Sequence, residues 1–160
     1  MDVLLSVKPH FAERIFNGTK KYEYRKTFFS RTDVNKVIVY ASSPVKKIIG
    51  EFYIAGIISD KPESIWRRTG TSAGIDKDFF FRYFLGKEKG YAIKIRNPKK
   101  YEVMLDPRYI IPNFTPPQSF IYIESKKLLL KQEKNDVKYV LELEQPGSLF
   151  PLVPTRVLCL

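Results

Sequence analysis

Cysteine and histidine are almost missing from this sequence: Cys159 and His10 are the only ones in 160 residues. A disulfide framework needs paired thiols and a structural zinc site needs several thiolate or imidazole ligands, so one chain builds neither. The G-x-G-x-x-G and P-loop phosphate patterns are absent as well, and no metal or cofactor is expected. Long hydrophobic runs are also missing. Nowhere do about eighteen apolar residues follow one another, and the short apolar start, Met1 to Val7, carries Asp2 at its head and no basic leader. The expectation is a cytoplasmic protein without a membrane span. Acids are the last shortage: 17 Asp and Glu stand against 28 Lys and Arg, a formal charge of +11. A field of that sign draws polyanions before any specific contact forms, which makes nucleic acid the default partner, although excess lysine also serves solubility alone.

What is present suits one folded domain. The chain is 44% hydrophobic and 14% aromatic, enough at this length to bury a core without staples. Asp2 to Val7 reads as a strand feeding a helix that starts at Pro9, whose fixed φ suits the first turn. Phe11, Ala12, Ile15 and Phe16 recur at helical spacing, and Asn17-Gly18 supplies the left-handed residue that ends helices. Tyr22 to Arg25, Lys36 to Ala41 and Lys47 to Ser59 read as strands, the last bent at Gly50 and Gly56. Asp60 and Glu63 have the spacing of a capping box for a helix through Ser64, Ile65, Trp66 and Arg67, and a second helical piece runs from Asp76 to Leu85 before Gly86. Its pairs Phe80/Phe84 and Phe79/Tyr83, four apart, read as a core stripe. Tyr91 to Arg96 and Lys100 to Leu105 read as strands around an Asn97-Pro98 turn, with further strands at Phe120 to Ile123 and Tyr139 to Leu143.

Strands at both ends and a helical insertion around 61–85 predict an α+β fold, a small mixed β-barrel, because a doubly wound sheet needs helices alternating regularly with strands. Barrel closure would hide the sheet edges. The expected organisation is a domain over 1–131, with 132–160 as a C-terminal strand and a tail containing Pro146, Pro151 and Pro154 packed on it.

One stretch stands out: Gly18-Thr19-Lys20-Lys21-Tyr22-Glu23-Tyr24-Arg25 places an acid among cations just after a helix-ending glycine. On a strand, Lys21, Glu23 and Arg25 share one face and Tyr22 and Tyr24 the other, while Lys20 in the turn swings to the charged face. A carboxylate between cations stays ionised and accepts an N–H from a base edge, and the cations hold phosphate or carbonyl oxygens. An exposed Glu23–Arg25 pair of small energetic value explains the same letters.

Here the sequence resembles the ASCH family, PUA-like β-barrels marked by G-x-K-x-x-E-x-R, matched by Gly18, Lys20, Glu23 and Arg25. LLSVKP (4–9), VIVYASSP (37–44), IIGEF (48–52), Trp66 and PPQSF (116–120) look like the longer prokaryotic members, and the likeness spans residue 3 to about 124. The resemblance implies a cleft beside the motif that binds RNA or a nucleotide-derived ligand through Lys20, Lys21, Glu23 and Arg25, with Lys8, Tyr40 and Ser42 as further contacts. Fold analogy alone does not establish function. Some similar proteins are amidohydrolases of acetylated cytidine that pair a motif lysine with a threonine three residues on; Lys20 matches, but Glu23 stands where that threonine would be. Others are proposed to cleave RNA without a metal, which here assigns Glu23 as base and Lys20 and Arg25 to the phosphate. Whether the chain is an enzyme stays open, and a regulator binding a partner protein through the aromatic helix or the Pro-rich tail is a third class.

The remaining candidates carry less. His10 has no acid or nucleophile in register and reads as a surface or packed residue. Trp66 beside Arg67-Arg68 is either a base-stacking platform or a core tryptophan with two solvated arginines. Lys46-Lys47, Lys99-Lys100 and Lys126-Lys127 form a basic rim if the fold gathers them.

Overall fold

The computed structural model describes residues 1–111 and 113–123, together with the backbone of 129–133 and 136–140. It divides into two compact units, Met1–Ser125 and Lys126–Leu160. The Pro-rich stretch with Pro146, Pro151 and Pro154 lies outside the described residues, as does the segment 141–143 of the strand expected at Tyr139 to Leu143.

In the first unit β1 (Asp2–Val7) leads into α1 (Pro9–Phe16), with Pro9 in the first turn and Gly18 just beyond the helix at φ +79°. Strands β2 (Tyr22–Arg25), β3 (Lys36–Ala41) and β4 (Lys47–Asp60) follow. Helices α2 (Pro62–Thr69) and α3 (Lys77–Phe84) flank a short 3-10 turn at Gly70–Ser72. Then come β5 (Gly90–Leu105) and β6 (Phe120–Ile123). The strands make one mixed sheet in the order β2-β5-β4-β3-β1-β6, with β1 parallel to β3 and the other ladders antiparallel. The result is an α+β half-barrel. Among the described residues no ladder joins the outer strands β2 and β6. In the second unit, β7 (Leu129–Glu133) and β8 (Asp136–Val140) pair as an antiparallel hairpin.

Alternation along the strands sends Val3, Leu5, Val7, Val37, Val39, Phe52 and Ile93 to one face, where they bury against Ala12 and Ile15 of α1. This is a half-buried helix on a sheet, held by apolar area removed from water. A second core joins Tyr24 and Ala92 to Ile65, Ala73, Phe80 and Phe84, and so anchors α2 and α3. Strand β4 shifts register between Ile48 and Gly50 and again between Ile54 and Gly56, the bend expected at those two glycines.

Two expectations need correction. Asn97-Pro98 does not turn the chain. Strand β5 runs through it, and the register passes from Tyr53↔Arg96 to Glu51↔Lys99, one extra residue on β5. Asn97 takes φ +49° there, and a bulge tolerates both a left-handed residue and a proline that cannot donate. Asp60 does not cap α2 either. Strand β4 extends through it, so the cap position falls on Lys61 and the fixed φ of Pro62 starts the helix. The Asp60 carboxylate instead accepts from Lys61 N–H at 2.8 Å and Ser64 Oγ at 2.7 Å. Asp76 does cap α3, accepting from Phe79 N–H at 2.7 Å.

Candidate functional site

The turn after α1 is pinned before the motif begins. Lys20 N–H donates to Arg14 O at 2.8 Å, and Arg14 Nη1 reaches Gly74 O at 2.7 Å. Gly74, at φ +64°, lies so close that a Cβ there would stand 2.5 Å from Lys20 Cβ. The glycine is therefore needed for the approach as well as for the backbone angle. This packing drives Lys20 inward: it is 3% exposed, beside Glu23 at 6% and Arg25 at 9%. Thr69 is the only other residue in the buried polar set of the described residues.

The three charges form a row. Lys20 Nζ lies 3.5 Å from Glu23 Oε2, and Arg25 Nη2 lies 3.0 Å from Glu23 Oε1. Lys20 Nζ also meets Ala73 O at 3.5 Å, and Arg25 Nη2 donates to Ser6 O on β1 at 2.6 Å. Arg25 Nε is buried with no hydrogen-bond partner, which costs free energy unless something else accepts from it. Burial lowers the Lys20 pKa below the ordinary lysine value; Glu23 opposes the shift, while Arg25 and Arg14 add to it. Its ammonium sits 4.6 Å from the centre of the Tyr24 ring and 5.6 Å from that of Phe11. The Tyr24 hydroxyl donates to Thr69 Oγ1 at 2.9 Å, and burial pushes its pKa up to about 12.

These groups line a cavity of about 630 Å³. Its wall contains Lys20, Glu23 and Arg25 together with Lys8, Tyr40 and Ser42. Lys21 is the exception among the candidates. It precedes β2 with its N–H on Ser72 O, its side chain is exposed, and the cavity does not include it. Lys20 swings to the charged face as expected of the turn residue, packed against Gly74, while Lys21, which alternation offered to the same face, stays outside.

The structure adds residues that sequence reasoning missed. Phe11 from α1, Tyr24 from β2, and Phe79 and Tyr83 from α3 make an aromatic wall. The stripe on α3 thus splits: Phe80 and Phe84 are core, while Phe79 and Tyr83 face the cavity. Pro116, Pro117 and Gln118 complete it, tied down by Ser6 Oγ donating to Pro117 O at 2.6 Å and Ser6 N–H to Ser119 O at 2.9 Å. Of the paired lysines, Lys46 reaches the rim, whereas Lys47 pairs with Asp106 at 2.8 Å and Lys100 with Glu13 at 2.8 Å. Lys126-Lys127 lies outside the described residues. Trp66 packs on Phe80 at 4.9 Å between ring centroids, with Arg67 and Arg68 exposed, and none of the three lines the cavity. His10 is exposed and packs on the Phe11 ring at 3.9 Å between centroids without lining the cavity itself. Among the described residues no helix is long and apolar enough to cross a membrane, and no three His, Cys, Asp or Glu side chains gather as a metal set.

The ASCH domain family model matches residues 5–146. The chain belongs to the ASCH domain family. A protein of Zymomonas mobilis subsp. mobilis named ASCH domain-containing ribonuclease is 31% identical over 133 residues, covering 80% of this chain and 90% of that one. The crystal structure of ASCH from Zymomonas mobilis superposes with a TM-score of 0.72 at 28% identity, over 78% of this chain and 88% of that one. The large ribosomal subunit protein uL22 of Ureaplasma parvum serovar 3 is 33% identical over 106 residues, which span 61% of this chain but 33% of that protein. The ASCH match begins within β1 and takes in the whole charged row and the cavity.

Proposed function

We propose that this ASCH domain binds single-stranded RNA by drawing one nucleotide out of the strand into the cavity. The observation that carries the reading is the buried cation–carboxylate–cation row facing aromatic rings in a space of about 630 Å³. Burying three charges is costly and stabilises a fold poorly compared with apolar packing, so their retention asks for a use. RNA recognition supplies one, since unstacked bases are gripped by aromatic faces and read along their hydrogen-bonding edges. Lys8 and Lys46 at the rim stand where flanking phosphates would pass, adding affinity without sequence preference. The test is titration of labelled single-stranded RNA across a salt series with wild type, Lys20→Met, Glu23→Gln and Lys94→Met. Lys94 is exposed and outside the cavity, so its variant removes the same unit charge elsewhere. Binding lost in Lys20→Met and kept in Lys94→Met supports the reading, with Glu23→Gln changing which base is preferred rather than overall affinity; equal, salt-tracking weakening in both lysine variants overturns it.

A second reading, cleavage of the bound strand, is favoured by the name of the Zymomonas mobilis relative and by the lowered Lys20 pKa. Burial favours the neutral amine, whose lone pair can take the proton of a ribose 2′-OH as that oxygen attacks phosphorus and return it to the 5′-oxygen that leaves, and Arg25 supplies the charge a phosphate transition state needs. Strand scission that persists in EDTA and disappears in Lys20→Met would establish it without a metal; scission that EDTA abolishes would overturn that form.

A further inference from the structure

The charged row has an order, and the order selects a base. Glu23 sits in the middle, one carboxylate oxygen toward Lys20 and the other toward Arg25. Each oxygen spends one lone-pair direction on its cation and keeps another. Lys20 Nζ has three N–H groups and meets two acceptors, Glu23 Oε2 and Ala73 O, both at the long limit of 3.5 Å. On the far side Arg25 lines the cavity and commits only Nη2, to Glu23 and Ser6 O, which leaves Nη1 of its guanidinium as the donor a ligand can meet. The unspent capacity along the wall therefore reads donor, acceptor, donor.

We infer that the cavity selects uridine, with the uracil N3–H donating to Glu23 and the O2 and O4 carbonyls accepting from Lys20 and Arg25 in either orientation. Uracil is the RNA base whose pairing edge runs acceptor, donor, acceptor. Cytosine presents acceptor, acceptor, donor, which sets the N3 lone pair against the Glu23 carboxylate and its amine against a cation. Guanine presents acceptor, donor, donor, and its 2-amine meets a cation that has only hydrogens to offer. Adenine has one donor and one acceptor on that edge and leaves one buried cation unmatched. Sites that bury polar groups reject partners that leave those groups unpaired. Tyr24, Phe79 and Tyr83 offer faces for the ring without choosing among bases. Thymine carries the same imide edge, so the row reads the base and leaves the sugar to other contacts.

This inference rests on the RNA-binding reading, and the experiment separates the two. Affinities are measured for short oligoadenylates carrying one central uridine, cytidine, guanosine, N3-methyluridine or thymidine, with wild type and Glu23→Gln. The expected result is uridine on the order of tenfold tighter than cytidine or guanosine, with N3-methyluridine falling to their level because the N3–H is gone. Thymidine should follow uridine, since it keeps the imide. Glu23→Gln, whose amide presents both a donor and an acceptor, should keep affinity for the oligomers but lose the preference for uridine over cytidine. Wild type that binds all four bases and N3-methyluridine equally, yet still loses binding in Lys20→Met, would overturn uridine selection and leave the RNA cavity standing. Absence of saturable binding to any oligomer would overturn both. The methylated nucleotide tests the hydrogen bond in the unaltered protein, so a misfolded variant cannot decide the matter.

Discussion

Two clusters of charge lie on the same sheet and are built in opposite ways. Lys20, Glu23 and Arg25 come from one turn and one strand and set two cations on one carboxylate beside the cavity. Asp2, Lys36, Glu51 and Tyr101 come from β1, β3, β4 and β5, which are neighbours in the sheet, and set two carboxylates on one cation. Lys36 Nζ lies 3.5 Å from Asp2 and 3.3 Å from Glu51, and the Tyr101 hydroxyl donates to Glu51 at 2.7 Å. Burial lowers both lysines. For Lys36 the pull of Asp2 and Glu51 outweighs that burial and the pKa rises; for Lys20 one carboxylate is not enough against burial and two arginines, and it falls. The second cluster is a tie across four strands whose members satisfy one another. The first keeps hydrogen-bonding capacity unspent beside a cavity, as the proposed recognition of a base requires.

That contrast can be broken by removing the central residue of each cluster. Glu23→Ala leaves two buried cations facing each other and should cost about 3–5 kcal/mol, the price of an uncompensated buried charge. Gly74→Ala should follow at about 2–4 kcal/mol, since its Cβ would overlap Lys20 at a φ that only glycine adopts freely. Lys36→Met should cost about 1–2 kcal/mol, because Asp2 and Glu51 keep partial contact with water at 13% and 18% side-chain exposure. Denaturant midpoints of the three variants at neutral pH check the ranking. A Lys36→Met protein as unstable as Glu23→Ala would mean that the two clusters are energetically alike.

Much of this was legible in the letters, and the residues show why. Strands with clean alternation or β-branched runs, such as Lys36–Ala41, and helices framed by Pro9 and Gly18 follow from local rules. The charged row was legible as residue types, because alternation alone put Glu23 and Arg25 on one side. Lys20 was legible as the turn residue that swings to that side. The exclusion of Lys21 was not: alternation offered it the same face, and the packing of Lys20 on Gly74, more than fifty residues away, is encoded by no local pattern. The split of the α3 stripe into core and cavity faces is hidden for the same reason: Phe79 and Phe80 are equally apolar, and only the position of α1 makes one of them a wall. Asn97-Pro98 misled because turns and bulges draw on the same residues, and the ladder on either side decides between them.

Stability followed against pH reads the two lysines directly. A free lysine titrates near pH 10.4. Lys20 is held below that value in the folded protein, so between its folded and unfolded pKa the unfolded chain binds more protons and stability rises with pH. Lys36 is held above it, so its contribution is intact below the unfolded value and is lost as pH climbs through the folded one. Wild type should therefore gain stability on the acid side of the lysine range and lose it on the alkaline side. Denaturant midpoints followed from about pH 8 to about pH 11 should show the gain flattened in Lys20→Met and the loss flattened in Lys36→Met. Tyr24, raised to about 12, adds a loss of stability from about pH 10 upward, where the unfolded tyrosine ionises, and that loss is common to wild type and both variants. If Lys20→Met kept the wild-type slope, the amine would be hydrated in solution, and the row could not present the desolvated donors that selective recognition of a base requires.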